Sequence, residues 1–108
     1  MTVFLEQSYR TWLFCRLYIE SGESLGEMAR LLGYAGKGRN GTIRQMWLGR
    51  LGIPEAKLDK ICNIVTISKT DVLNHAIDKK QSELIKDWVQ AVILFKKFKN
   101  PQPNIFTN

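Results

Sequence analysis

An all-α fold, a compact single domain of five to six helices, is the architecture this sequence predicts. Three observations carry it. Apolar residues recur at spacings of three and four over several separate stretches, the period of a helix with one buried face. Ser-x-x-Glu and Ser-x-x-Asp stand where two of these stretches begin, and glycines stand where others end. No stretch alternates apolar and polar residues between hairpin turns, and residues 64–67 are the only β-branched cluster of note, so little or no strand is expected.

Taken in order, Leu5, Tyr9, Trp12, Leu13, Arg16, Leu17 and Ile19 predict a helix over residues 3–20, stopped by Gly22. Ser24 and Glu27 form a capping-box pattern, in which hydroxyl and carboxylate each satisfy a backbone N–H of the opening turn. Leu25, Met28, Ala29 and Leu32 then share one face, and Gly33 supplies the stop. Residues 33–41 contain four glycines, each costing about 1 kcal/mol relative to Ala inside a helix, so this segment is expected as a loop. A short helix resumes near Thr42, burying Ile43, Met46 and Trp47, and ends near Gly49 or Gly52. Pro54 suits the first turn of the next helix, residues 55–65, with Leu58, Ile61, Cys62 and Val65 inward. Ser68 and Asp71 open another helix carrying Val72, Leu73, Ala76 and Ile77 on its apolar side. The last helix, residues 82–99, carries Leu84, Ile85, Trp88, Val89, Val92, Ile93 and Phe95, and Pro101 and Pro103 prevent its extension. The domain is thus expected over residues 1–99, with residues 100–108 a flexible C-terminal tail in which Ile105 and Phe106 are the docking candidates.

Sixteen Lys and Arg stand against ten Asp and Glu, a formal charge of +6 that favours polyanionic partners. Cys15 and Cys62 lie far apart among apolar residues, the pattern of buried thiols in a reducing compartment, so a cytoplasmic protein is expected. The longest uncharged apolar stretch, residues 89–95, falls well short of the roughly 20 residues that span a bilayer, and the N-terminus lacks the pattern of a signal peptide.

Charge placement sharpens the reading. Lys37, Arg39, Asn40, Thr42, Arg44, Gln45 and Arg50 gather in the Gly-rich loop and the helix after it, and no acidic residue stands between Lys37 and Ile53. Residues 24–50 resemble the helix-turn-helix superfamily of DNA-binding proteins. The first helix of that unit carries a small residue facing the second, here Ala29, and a glycine opens the turn, here Gly33, with Met28, Leu32 and Tyr34 at its apolar positions. After Gly33 the pattern needs an insertion of about four residues, and Ile43 and Met46 then take the two positions that hold a recognition helix to its domain. The resemblance implies duplex DNA as partner and a transcriptional regulator or accessory DNA-binding factor as function. Glycines such as Gly38 let a backbone approach phosphate, and the N–H groups opening the Thr42 helix add partial positive charge. Lys37 and Arg39 are the expected phosphate contacts, and Arg44 and Gln45 suit guanine and adenine edges in the major groove.

Gly36-x-Gly38-x-x-Gly41 has the spacing of a dinucleotide-binding turn but follows a helix where that fingerprint requires a strand, and Lys37-Gly38 lacks the Ser or Thr of a P-loop. His75 is the sole histidine and the carboxylates are dispersed, so no catalytic set, metal site, cofactor or small-molecule substrate is expected. Lys96, Lys97 and Lys99 suit the negative end of the last helix. The broad apolar face around Trp88 suits core packing and a homodimer contact. Two alternatives accompany DNA binding: a helical protein-interaction adaptor docking through the last helix and tail, and RNA binding through the Gly-rich loop.

Overall fold

The computed structural model describes residues 1–100, so the expected tail of residues 100–108, with Ile105 and Phe106, lies outside the described residues except for Asn100, whose N–H bonds Lys96 O at 3.0 Å at the end of the last helix. Among the described residues six α-helices share one core: α1 (Gln7–Glu20), α2 (Leu25–Leu31), α3 (Arg39–Leu48), α4 (Glu55–Val65), α5 (Lys69–Leu73) and α6 (Trp88–Lys99). The purely α expectation is corrected by a small antiparallel sheet of three strands, β1 (Thr2–Leu5), β2 (Ile53–Pro54) and β3 (Ala76–Ile77), in the order β2-β1-β3. Val3 pairs with Ile53, and Phe4 with Ile77. Val3 and Leu5 point into the core while Thr2 faces solvent, an alternation too short to register as a strand pattern in sequence. Pro54 ends an edge strand and precedes the first turn of α4, where its missing N–H breaks no ladder.

The helix boundaries follow local chemistry where the partners are local. Ser24 Oγ accepts the Glu27 N–H at 3.1 Å, and Ser68 Oγ accepts that of Asp71 at 3.1 Å. The Ser24 capping box is only half realised, because Arg30 takes both carboxylate oxygens of Glu27 at 2.7 and 2.6 Å. At the end of α2, Gly33 adopts φ +85°, the Tyr34 N–H reaches Ala29 O at 2.9 Å and the Gly33 N–H reaches Arg30 O at 3.0 Å, a complete Schellman closure. Leu58, Ile61, Cys62 and Val65 form the buried stripe of α4 as predicted.

Boundaries set by distant contacts differ from expectation. The first helix begins at Gln7, because residues 2–5 are drawn into the sheet. The Ser68 helix stops at Leu73, and Ala76 and Ile77 pair with β1 instead. The last helix begins at Trp88, with Asp87 Oδ1 accepting the Gln90 N–H at 2.9 Å. The residues before it are extended because Ile85 N–H donates to Leu48 O at 3.0 Å, tying that segment to the end of α3.

α1 lies at the centre and packs against α2, α3, α4 and α6. Leu13, Phe14, Cys15 and Leu17 are fully buried on it. So is Arg10, at 2% exposure. Its guanidinium donates to Trp47 O at 2.9 Å, Leu5 O at 3.0 Å, Leu48 O at 3.2 Å and Glu83 O at 2.7 Å. One side chain thus joins β1, the last turn of α3 and the segment leading to α6. The carbonyl end of α3 carries partial negative charge, which favours a cation there. Gly49 closes α3 with φ +92°, and a Cβ on it would lie 2.6 Å from Arg10 Cζ, so glycine is demanded by backbone and by space.

Arg10→Met is expected to remove four hydrogen bonds to buried carbonyls, of which Leu48 O keeps the Ile85 N–H, and to lower unfolding stability by about 3–5 kcal/mol, read as a shift in urea midpoint. Gly49→Ala, which adds αL strain to a steric clash, is expected to cost at least about 1–2 kcal/mol in the same assay. Burial pushes the Cys15 thiol up to about 12 from its ordinary 9.0. Native protein should therefore resist alkylation at Cys15 at pH 8 and react only on unfolding. Because the folded-state value is the raised one, the Cys15 contribution to stability is complete below pH 9 and is lost as pH climbs toward 12.

Candidate nucleic-acid interface

The candidate site lies on α2 and α3, which pack side by side. Met28 and Ala29 on α2, Leu32 just after it, and Ile43, Met46 and Trp47 on α3 are buried. These are the apolar positions expected to hold the two helices together. Contacts run from Gly26 against Arg39 and Asn40 at one end to Tyr34 Oη, 4.0 Å from Met46 Sδ, at the other. A Cβ on Gly26 would lie 3.7 Å from Arg39 Nη2 and 4.0 Å from Asn40 Oδ1, so the first turn of α3 rests on the first turn of α2.

Helix α3 starts earlier than expected. Arg39, Asn40 and Gly41, assigned from sequence to the loop, form its opening turn, and Gly38 is its N-cap residue. The Thr42 N–H and hydroxyl both bond Gly38 O, at 3.0 and 3.2 Å, which anchors the turn despite Gly41. Gly38 supplies no side-chain cap, so the helix presents opening N–H groups without an internal acceptor from that residue.

The eight site residues divide. Lys37, Gly38 and Arg39 are exposed and Asn40 is half-buried at this corner. Asn40 Oδ1 is buried there without a hydrogen-bond partner, a polar atom held by packing against α2. Thr42 is half-buried, and its hydroxyl is engaged with Gly38. Arg44 is exposed but leans toward α6, its guanidinium carbon 5.4 Å from the Trp88 ring centroid. Gln45 is half-buried on the adjacent position of the helix. Arg50, beyond the C-terminus of α3, donates to Lys86 O at 3.0 Å. The fold therefore gathers Lys37, Arg39 and Asn40 at one corner, sets Arg44 against α6 and ties Arg50 to the segment before α6.

Tyr34, at the mouth of the loop, is a packing residue: its ring is half-buried, burial raises its hydroxyl pKa, and Lys57 Nζ lies 4.7 Å from the ring centroid. Lys57 and Lys60 of α4 both reach Gly33, contacts that no local sequence pattern announces. His75 stacks on Tyr9 at 3.9 Å, and its Nδ1 lies 2.7 Å from Glu6 Oε2, so the ring braces the β3 corner against α1. A groove of about 520 Å³ runs between α6 and the Trp47 region, with Tyr18, Trp88 and Phe95 on its walls and Arg44 and Lys96 among its cations.

No helix among the described residues is long and apolar enough to cross a membrane. No family model matches this sequence, and no curated protein or solved structure shows significant similarity to it.

Proposed function

We propose that the protein binds duplex DNA through the Gly-rich loop and α3, in the manner of a helix-turn-helix unit over residues 24–50, and serves as a small transcriptional regulator or accessory DNA-binding factor. The observation that carries this reading is the corner where Lys37 and Arg39 flank the uncapped N-terminus of α3 on the surface. Exposed cations beside unpaired backbone N–H groups suit phosphate oxygens. Lys37 and Arg39 fix the protein on the backbone, and Arg44 and Gln45 read base edges from the next turn of α3.

Arg44 must leave Trp88 to do so. An exposed cation–π contact is worth about 0.5–1 kcal/mol, and a bidentate contact to a guanine edge discriminates by about 1–3 kcal/mol. The base contact outweighs the resting one. Free, buried Cys15 and Cys62 favour a reducing compartment, the cytoplasm.

A second reading, self-association or partner docking through α6, is favoured by one observation. Val89 and Ile93, one turn apart on α6, are 68% and 42% exposed. A dimer would set two α3 helices on successive half-sites.

Fluorescence anisotropy with a short duplex tests the first reading. Binding at low salt should weaken steeply as salt rises, and Lys37→Ala should weaken it for all sequences while lowering the salt slope by about 1. Arg39→Ala with Arg44→Ala should weaken binding further, and Gln45→Ala should alter preference among duplexes. No binding at low salt, or unchanged affinity in the double variant, would defeat the proposal. For the second reading, sedimentation should show a dimer that Val89→Lys with Ile93→Lys dissociates, and a monomeric parent protein excludes self-association.

A further inference from the structure

We propose that Lys57 and Lys60 of α4 form a two-ammonium clamp over Gly33 that takes one phosphate group of the nucleic-acid backbone, an inference that rests on the DNA-binding reading and extends its footprint to a third helix.

The geometry is specific. A Cβ placed on Gly33 would lie 3.2 Å from Lys57 Nζ and 3.3 Å from Lys60 Nζ. Both ammonium groups therefore point at one spot and lie within about 6.5 Å of each other, a span one phosphate bridges with two charge-assisted N–H···O bonds of about 2.8 Å. Two like charges this close repel unless an anion lies between them. Among the described residues no carboxylate pairs with either. The acids of the same helix, Glu55 and Asp59, turn to Lys69 of α5, at 3.6 and 3.1 Å, on the opposite face. Glu27, the acid of α2, is held by Arg30.

The cations are not needed to close α2. The carbonyls of Met28, Ala29 and Arg30 already accept the N–H groups of Leu32, Tyr34 and Gly33, so the Schellman closure of that helix is made by its own backbone. Lys57 is half-buried and seated over the Tyr34 ring, which limits the rotamers it must give up on binding. Gly33 contributes by absence, since a side chain there would occupy the space into which both ammonium groups reach. Lys37 and Arg39 follow Gly33 by four and six residues in the same Gly-rich segment, so both cation sets border one loop.

The test uses the full chain and three preparations: parent, K57Q/K60Q, and K79Q/K80Q, which removes the same charge from the Lys79–Gln81 turn. In duplex anisotropy over a salt series, K57Q/K60Q should lower the slope of log affinity against log salt by about 1, the loss of one phosphate contact. K79Q/K80Q should leave the slope near that of the parent. Separately, inorganic pyrophosphate should shift the Gly33 and Tyr34 amide resonances of the parent in a saturable way and leave those of K57Q/K60Q in place. An unchanged slope and affinity in K57Q/K60Q, or an equal loss in K79Q/K80Q, overturns the clamp while leaving DNA binding standing. Should the parent bind no duplex yet show the pyrophosphate shifts, the DNA reading fails and an anion clamp is upheld. Lysines that merely support the fold would change the thermal midpoint of K57Q/K60Q without moving slope or resonances, which also overturns it.

Discussion

The buried guanidinium of Arg10 is the interaction on which the rest of the molecule depends. It collects carbonyls from Leu5 on β1, Trp47 and Leu48 at the end of α3, and Glu83 ahead of α6. Burial lowers its pKa, although guanidinium begins so high that it stays charged throughout the physiological range. A planar fork with five donors suits this position, because the acceptors arrive from three separate segments. Lysine has the charge but not the spread. Removing the interaction would free the end of α3 and the Ile85 segment together, since Ile85 also hangs from Leu48.

That anchoring explains how a short, glycine-bordered helix presents cations with confidence of position. α3 is held from beneath by Ile43, Met46 and Trp47, at its C-terminal end by Arg10, and at its opening turn by contact with Gly26. Trp47 sits at the centre of an aromatic cluster: Phe14 and Tyr18 of α1 and Trp88 of α6 all lie with ring centroids within 5.7 Å of it. The exposed side of the helix is then only lightly engaged, at Arg39 by its approach to Gly26 and at Arg44 by the Trp88 ring. A rigid support beneath long, solvated cations lowers the ordering cost of meeting a polyanion.

Charge is also sorted between faces. On α4, Glu55 and Asp59 meet Lys69, while Lys57 and Lys60 turn to the α2–α3 connection. On α2, Arg30 and Glu27 satisfy one another. Lys37 and Arg39, with the two α4 lysines, are left outside ion pairs among the described residues, and all four border the same Gly-rich segment. Net charge alone does not create such a field. The pairing of the acids elsewhere does, because it removes the counter-charges that would otherwise cancel it.

Much of this was legible along the chain. Serine caps at Ser24 and Ser68 and the Gly33 closure depend on partners within about five residues, and the inward stripe of α4 and the buried set of α3 recur at the helical period, so sequence spacing reports both directly. The cluster from Lys37 to Arg50 was visible as composition, but not its division between the α2 corner, the Trp88 ring and the Lys86 carbonyl. The three strands, the early start of α3, the late start of α6, the role of Arg10 and the approach of Lys57 and Lys60 to Gly33 were decided only in three dimensions. Each rests on contacts between residues far apart in sequence: Phe4 with Ile77, Asn40 with Gly26, Ile85 with Leu48. Local hydrogen bonds and hydrophobic period determine where a helix can exist. Long-range pairing determines how much of it is used, because a backbone group satisfied by a distant strand or side chain no longer needs its neighbour one turn away.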